Sequence, residues 1–161
     1  MKKYLLNPIG MFLTGLILGI IIRLLDIYTT NLGNIFSQIA VWILLGTIVS
    51  IYSATPKDAM FNIFPFCMGM LLTYYAVAIL IHGVYNKIYI FGWMIFALCS
   101  PFLGYVTWMT KRTGFAAKFI SVGIVFISLL SGIILFDHLR IYDFIISGLL
   151  IYFLFYKKID R

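Results

Sequence analysis

Residues 9–25, IGMFLTGLILGIIIRLL, form an apolar run broken by one charge, Arg23, and free of helix-stopping proline. At about 1.5 Å per helical residue, such a run covers most of a hydrocarbon core about 30 Å thick. Five further apolar segments follow, at 35–54, 59–82, 88–110, 117–136 and 141–156. The connectors between them are too short to hold a soluble domain. The expected fold class is therefore all-α: an integral membrane bundle of six transmembrane helices, one domain spanning residues 1–161.

Composition points the same way. Hydrophobic residues make up 63% of the chain and charged residues 11%; soluble domains carry about 45–50% and about 25%. Mean hydropathy is +1.08. Glutamate is absent, and the acids are Asp26, Asp58, Asp137, Asp143 and Asp160, which excludes chemistries that need paired glutamates. Cys67 and Cys99 both fall within apolar segments, without metal-ligand spacing, so each reads as a small hydrophobe. Lys2 and Lys3 precede an apolar run that lacks a small-residue cleavage site, so the first segment reads as an uncleaved helix.

The net charge of +7 is explained by orientation, with no nucleic-acid partner required. With a cytoplasmic amino terminus, nine of the twelve basic residues lie inside: Lys2, Lys3, Lys57, Lys111, Arg112, Lys118, Lys157, Lys158 and Arg161. Arg23, Lys87 and Arg140 remain outside. Basic residues in short loops favour the cytoplasm, so both termini are expected there, against anionic headgroups of the lipid bilayer. The abundance of Ile, Lys, Tyr and Asn fits an AT-rich bacterial genome, hence the cytoplasmic membrane. Tyr4, Trp108, Tyr152 and Tyr156 read as inner interfacial anchors, and Tyr28, Tyr85, Tyr89 and Tyr142 as outer ones.

The remaining polar residues concentrate at the outer ends. Arg23, Asp26, His82, Asp137, His138, Arg140 and Asp143, with Asn31, Asn34, Asn86 and Lys87, map to one side of the bundle and form the candidate ligand-binding mouth. Arg23 and Asp26, three apart, share a helix face and can pair. His138 and Asp143 have the H-x4-D spacing used by some glycerolipid acyltransferases, without their downstream blocks. Tyr142-Asp143 resembles half of an intramembrane aspartyl protease signature, but G-x-G-D is missing. No two histidines have metal-ligand spacing, and no cofactor motif is present.

Three structural features complete the reading. Thr55-Pro-Lys-Asp58 reads as a helix start, with Thr55 as N-cap, Pro56 first in the helix and Asp58 in the first turn. Pro65 and Pro101 lie symmetrically about Gly83, predicting a kinked hairpin with freed carbonyls and Asn62, Thr73, Tyr74, Tyr75 and Ser100 nearby. Gly15 and Gly19 form a small-residue face suited to close helix packing, inside the bundle or against a partner; Gly46/Ser50, Ser100/Gly104 and Ser128/Gly132 repeat the spacing.

In size and topology, with the Gly15/Gly19 face, the chain resembles the membrane-embedded substrate-binding components of energy-coupling-factor vitamin transporters. In that family the small residues are more often alanines. The resemblance implies solute binding by Arg23, Asp26, His138 and Arg140, and energy from cytoplasmic ATPases through a membrane scaffold subunit. The stretch from Trp42 to Tyr75 also resembles small uncharacterised bacterial polytopic membrane proteins, which leaves an accessory or immunity-type role as the alternative expectation.

Overall fold

The computed structural model describes residues 6–29, 38–81, 87–137 and 139–159. Each apolar segment contributes one helix: α1 (Pro8–Tyr28), α2 (Ile39–Tyr52), α3 (Pro56–Leu80), α4 (Lys87–Met109), α5 (Phe115–Phe136) and α6 (Ile141–Ile151). The chain of α6 continues into a π-helical turn, Tyr152–Tyr156. No strand occurs among the described residues.

Among the described residues, four helices, α1, α3, α4 and α5, are long and apolar enough to cross a membrane. The expectation of six such helices is met only in part. Helix α2 has 14 residues, about 21 Å, and α6 has 11 before its π turn. At its carboxyl end α2 stops two residues before the expected 54. Ser53 leaves helical geometry and the residue before Pro56 is pushed to extended backbone, so α3 must start anew.

That new start has the expected cap. The Thr55 hydroxyl accepts from the Asp58 amide at 3.0 Å, and the Asp58 carboxylate accepts from the Thr55 amide at 3.1 Å, with Pro56 opening the helix. Thr55→Ala is expected to cost about 1 kcal/mol of stability without altering the fold, measured as a lowered thermal midpoint in detergent. Helix α1 starts the same way: Asn7 Oδ1 accepts from the Gly10 amide at 2.6 Å ahead of Pro8.

The helices form a layered bundle. Helix α1 lies chiefly on α3, α3 pairs with α4, and α2 touches α3, α4, α5 and α6. With neighbours on several sides, α2 is apolar nearly all round and buries residues on every face, from Ala40 to Ile51. The outward faces are equally apolar: Leu13, Ile17, Leu72, Ile95, Leu98, Phe102, Phe119, Phe126, Ile134 and Ile145 are exposed. In water this would be a continuous aggregation surface; in a bilayer it is the lipid-facing shell.

The α1–α3 contact shows how the small residues act. A Cβ on Gly15 would collide with the Phe66 carbonyl, and one on Gly19 with the Thr73 hydroxyl and Met70 carbonyl. From the other side, a Cβ on Gly69 would come within 2.5 Å of the Phe12 carbonyl. Thr73 Oγ1 lies 2.8 Å from the Leu16 carbonyl across the interface and 3.0 Å from the Gly69 carbonyl in its own helix. Gly69 and Thr73 have the same four-residue spacing as Gly15 and Gly19, and they are the matching half of the face.

Both internal prolines sit within unbroken helices. Pro101 has no amide to offer the Ala97 carbonyl, and the Ser100 hydroxyl takes its place at 2.7 Å. At the opposite end of the bundle from Arg23, a buried network joins four helices. Asn62 Nδ2 donates to Ser53 Oγ at 3.1 Å and to the Leu6 carbonyl at 3.4 Å. Trp108 Nε1 donates to the Ser53 carbonyl at 3.0 Å. Trp108, expected as an interfacial anchor, is buried because its ring N–H satisfies the end of α2. Nearby, Lys111 Nζ donates to the carbonyls of Leu154 and Lys157 at 3.0 and 2.8 Å, closing the last turn after α6.

Candidate functional site

The outer polar residues resolve into two groups on different helices. The first is built on α1 and α3. Arg23 is only 7% exposed, although it carries a full charge in an apolar helix. Its guanidinium donates to Asp26 Oδ2 at 2.5 Å, one turn further along α1. Tyr74 of α3 donates its hydroxyl to the same oxygen at 3.0 Å, and its ring lies 5.1 Å from the guanidinium carbon. Arg23 NH1 also lies 3.3 Å from the Tyr74 hydroxyl. Charge, aromatic face and hydroxyl thus neutralise a cation that would be costly alone near hydrocarbon. The arrangement pins α1 to α3 above their small-residue seam.

The second group opens α6. The Arg140 amide donates to Asp143 Oδ2 at 2.8 Å, and Arg140 Nε lies 3.8 Å from the same oxygen. The Arg140 guanidinium stacks over the Tyr142 ring at 4.6 Å. Asp143 is 1% exposed and fits against Gly132 of α5, where a Cβ would come within 3.3 Å of the carboxylate. It therefore caps its own helix and packs α6 on α5. Asp137 is exposed and ends α5 in left-handed geometry, φ 58°, a conformation aspartate tolerates. His82 and His138 lie outside the described residues, as do Asn31, Asn34 and Asn86.

Helix α1 packs chiefly on α3, while α6 packs on α5 and α2. The two ionic groups therefore serve two different helix contacts. Each candidate residue that is described has a local structural partner or a capping role. Among the described residues, no cluster of three metal-ligating side chains occurs.

A cavity of about 170 Å³ lies elsewhere, between α2, α3, α4 and α5. One face of α2 lines it from Ile39 to Ser50, and one face of α4 lines it from Phe96 to Thr107. Ile63 and Cys67 of α3 form one wall, and Ile124 and Ile127 of α5 the other. Trp42 stacks against Trp93, ring centroids 4.7 Å apart, and Trp93 meets Phe96 edge-on at 5.8 Å. The sequence reading missed this site. Gly46 and Gly104, read from the sequence as close-packing positions, border it but are themselves packed against Ile63 of α3.

No protein-family model, curated protein or solved structure matches the chain. Among the described residues the chain is all-helical, with four helices long and apolar enough to cross a membrane.

Proposed function

We propose that the protein is a six-span membrane protein of the cytoplasmic membrane, both termini cytoplasmic, that binds a small solute as one component of a transport assembly. The observation that carries this reading is the cavity lined by α2, α3, α4 and α5, which opens to one side between α4 and α5.

The supporting features are the basic loops assigned to the inner side, the apolar shell and the charged side chains gathered toward helix ends. Helices α2 and α6 complete the crossing by sheltering inside the bundle or against it, where fewer residues are needed than for a helix standing alone in lipid. The Arg23–Asp26–Tyr74 group acts as the brace that holds α1 in place. Because α3 occupies the Gly15/Gly19 face, a scaffold subunit would dock on the exposed side of α1 or on α4 and α5.

The test is a mild-detergent pull-down of the tagged protein from its native host, with partners identified by mass spectrometry. Recovery of ATPases together with a membrane scaffold subunit is the expected result. Recovery of the chain alone would contradict the assembly.

A further inference from the structure

We infer that the α2–α5 cavity is the ligand seat, and that its ligand is a small uncharged amphiphile: an apolar body of ring size carrying one hydrogen-bond acceptor such as a carbonyl. This rests on the solute-binding reading above and names the chemistry of that site.

Size sets the first limit. A cavity near 150 Å³ holds a benzene-sized molecule, so 170 Å³ suits a single ring with a short substituent. Lining chemistry sets the second. The walls are mainly Ile, Leu, Phe and Trp side chains, with Thr47, Ser50, Ser100 and Thr107 among the lining residues, and none of the lining residues is charged. A charged solute would be desolvated there without a counter-ion.

Two buried polar groups on the wall set the third. Trp42 is 8% exposed and Ser50 1%, yet neither the Trp42 indole N–H nor the Ser50 hydroxyl has a hydrogen-bond partner. Buried donors are seldom left so, and an unmet one is destabilising. Both sit on the α2 face that lines the cavity, one near each end. An indole N–H can only donate, so the group it lacks is an acceptor.

Access agrees with an apolar ligand. Leu103 of α4 and Ile127 of α5 line the cavity and are themselves exposed on the outer surface of the bundle. The route in therefore runs between α4 and α5 from the hydrocarbon, past apolar side chains, and a molecule dissolved in the bilayer can take it.

The test is fluorine NMR on the full-length protein in detergent, titrated with 4-fluoroacetophenone. The matched control is 4-fluoro-α-methylstyrene, which replaces the carbonyl oxygen by a methylene group of similar shape, and protein-free micelles give the partitioning baseline. The ketone is expected to bind roughly fivefold more tightly than the alkene, the value of one neutral hydrogen bond. Trp42→Phe keeps the ring, removes the N–H, and should bring that ratio close to one while alkene binding persists. Ile124→Trp fills the cavity and should abolish binding of both. Should that variant fail to fold, Trp42→Phe decides alone, and Ser50→Ala, about 12 Å along α2 at the other end of the cavity, should leave the ratio unchanged. Equal binding of ketone and alkene by wild type, or a ratio unchanged in Trp42→Phe, would overturn the inference. Binding in the absence of pull-down partners would remove the transport assembly and leave the seat. Partners without binding would do the reverse.

Discussion

Gly19→Ile is expected to separate α1 from α3 and to destabilise the protein by more than about 3 kcal/mol, beyond the usual cost of an overpacked core. The new side chain would have to occupy the space of the Thr73 hydroxyl and the Met70 backbone carbonyl. Backbone cannot step aside as the end of a flexible side chain can. Membrane helices gain little from the hydrophobic effect between them, so their association relies on close contact and interhelical hydrogen bonds. Pushing the helices apart also removes the Thr73–Leu16 hydrogen bond. The readout is the thermal midpoint in detergent together with the yield of monodisperse protein. Ile17→Ala, on the exposed side of the same helix, should change either by little. Equal behaviour of the two variants would show that the seam does not hold α1.

Asp26→Leu is expected to cost about 3 kcal/mol, because it strands the buried Arg23 charge without its carboxylate. Asp26 itself is half-buried, which places the value at the low end for a broken ion pair. The double variant Arg23→Leu/Asp26→Leu should recover most of the loss, since both charges are then gone and the apolar replacements suit the surroundings. A cycle of the two single variants and the double one measures the coupling directly. Strong coupling in stability supports Arg23 as a brace. If instead Arg23→Leu left stability unchanged but abolished ligand binding, the assignment of the solute to the interhelical cavity would be wrong.

The sequence made the helices legible because hydropathy and length follow directly from the bilayer, and the α3 cap was legible because Thr55, Pro56 and Asp58 act on their own backbone. Pairings between helices were less so. The spacing of Gly15 and Gly19 announces a close-packing face, but Gly69 and Thr73 become its partners only once α1 and α3 are laid together. Trp108 looked like an anchor for the membrane interface, and tertiary packing instead brought it to the Ser53 carbonyl. Among the outer charges, the pairings Arg23–Asp26 and Arg140–Asp143 were legible, because residues three apart meet across one helical turn. The cavity was illegible for a simpler reason: an empty space is a property of several helices at once, and no single residue encodes it.

The crossing pattern of the short α2 is the point on which the whole membrane arrangement turns, and single-cysteine labelling decides it. In a background with Cys67 and Cys99 replaced by serine, a cysteine at Ala54, between α2 and α3, and another at Leu139, between α5 and α6, would be treated in intact cells with a membrane-impermeant maleimide. The six-span account predicts that Leu139→Cys is labelled from outside and that Ala54→Cys is labelled only after the membrane is opened. Labelling of Ala54→Cys from outside with protection of Leu139→Cys would mean that α2 does not cross or that the bundle is inserted the other way round, and either would contradict the account.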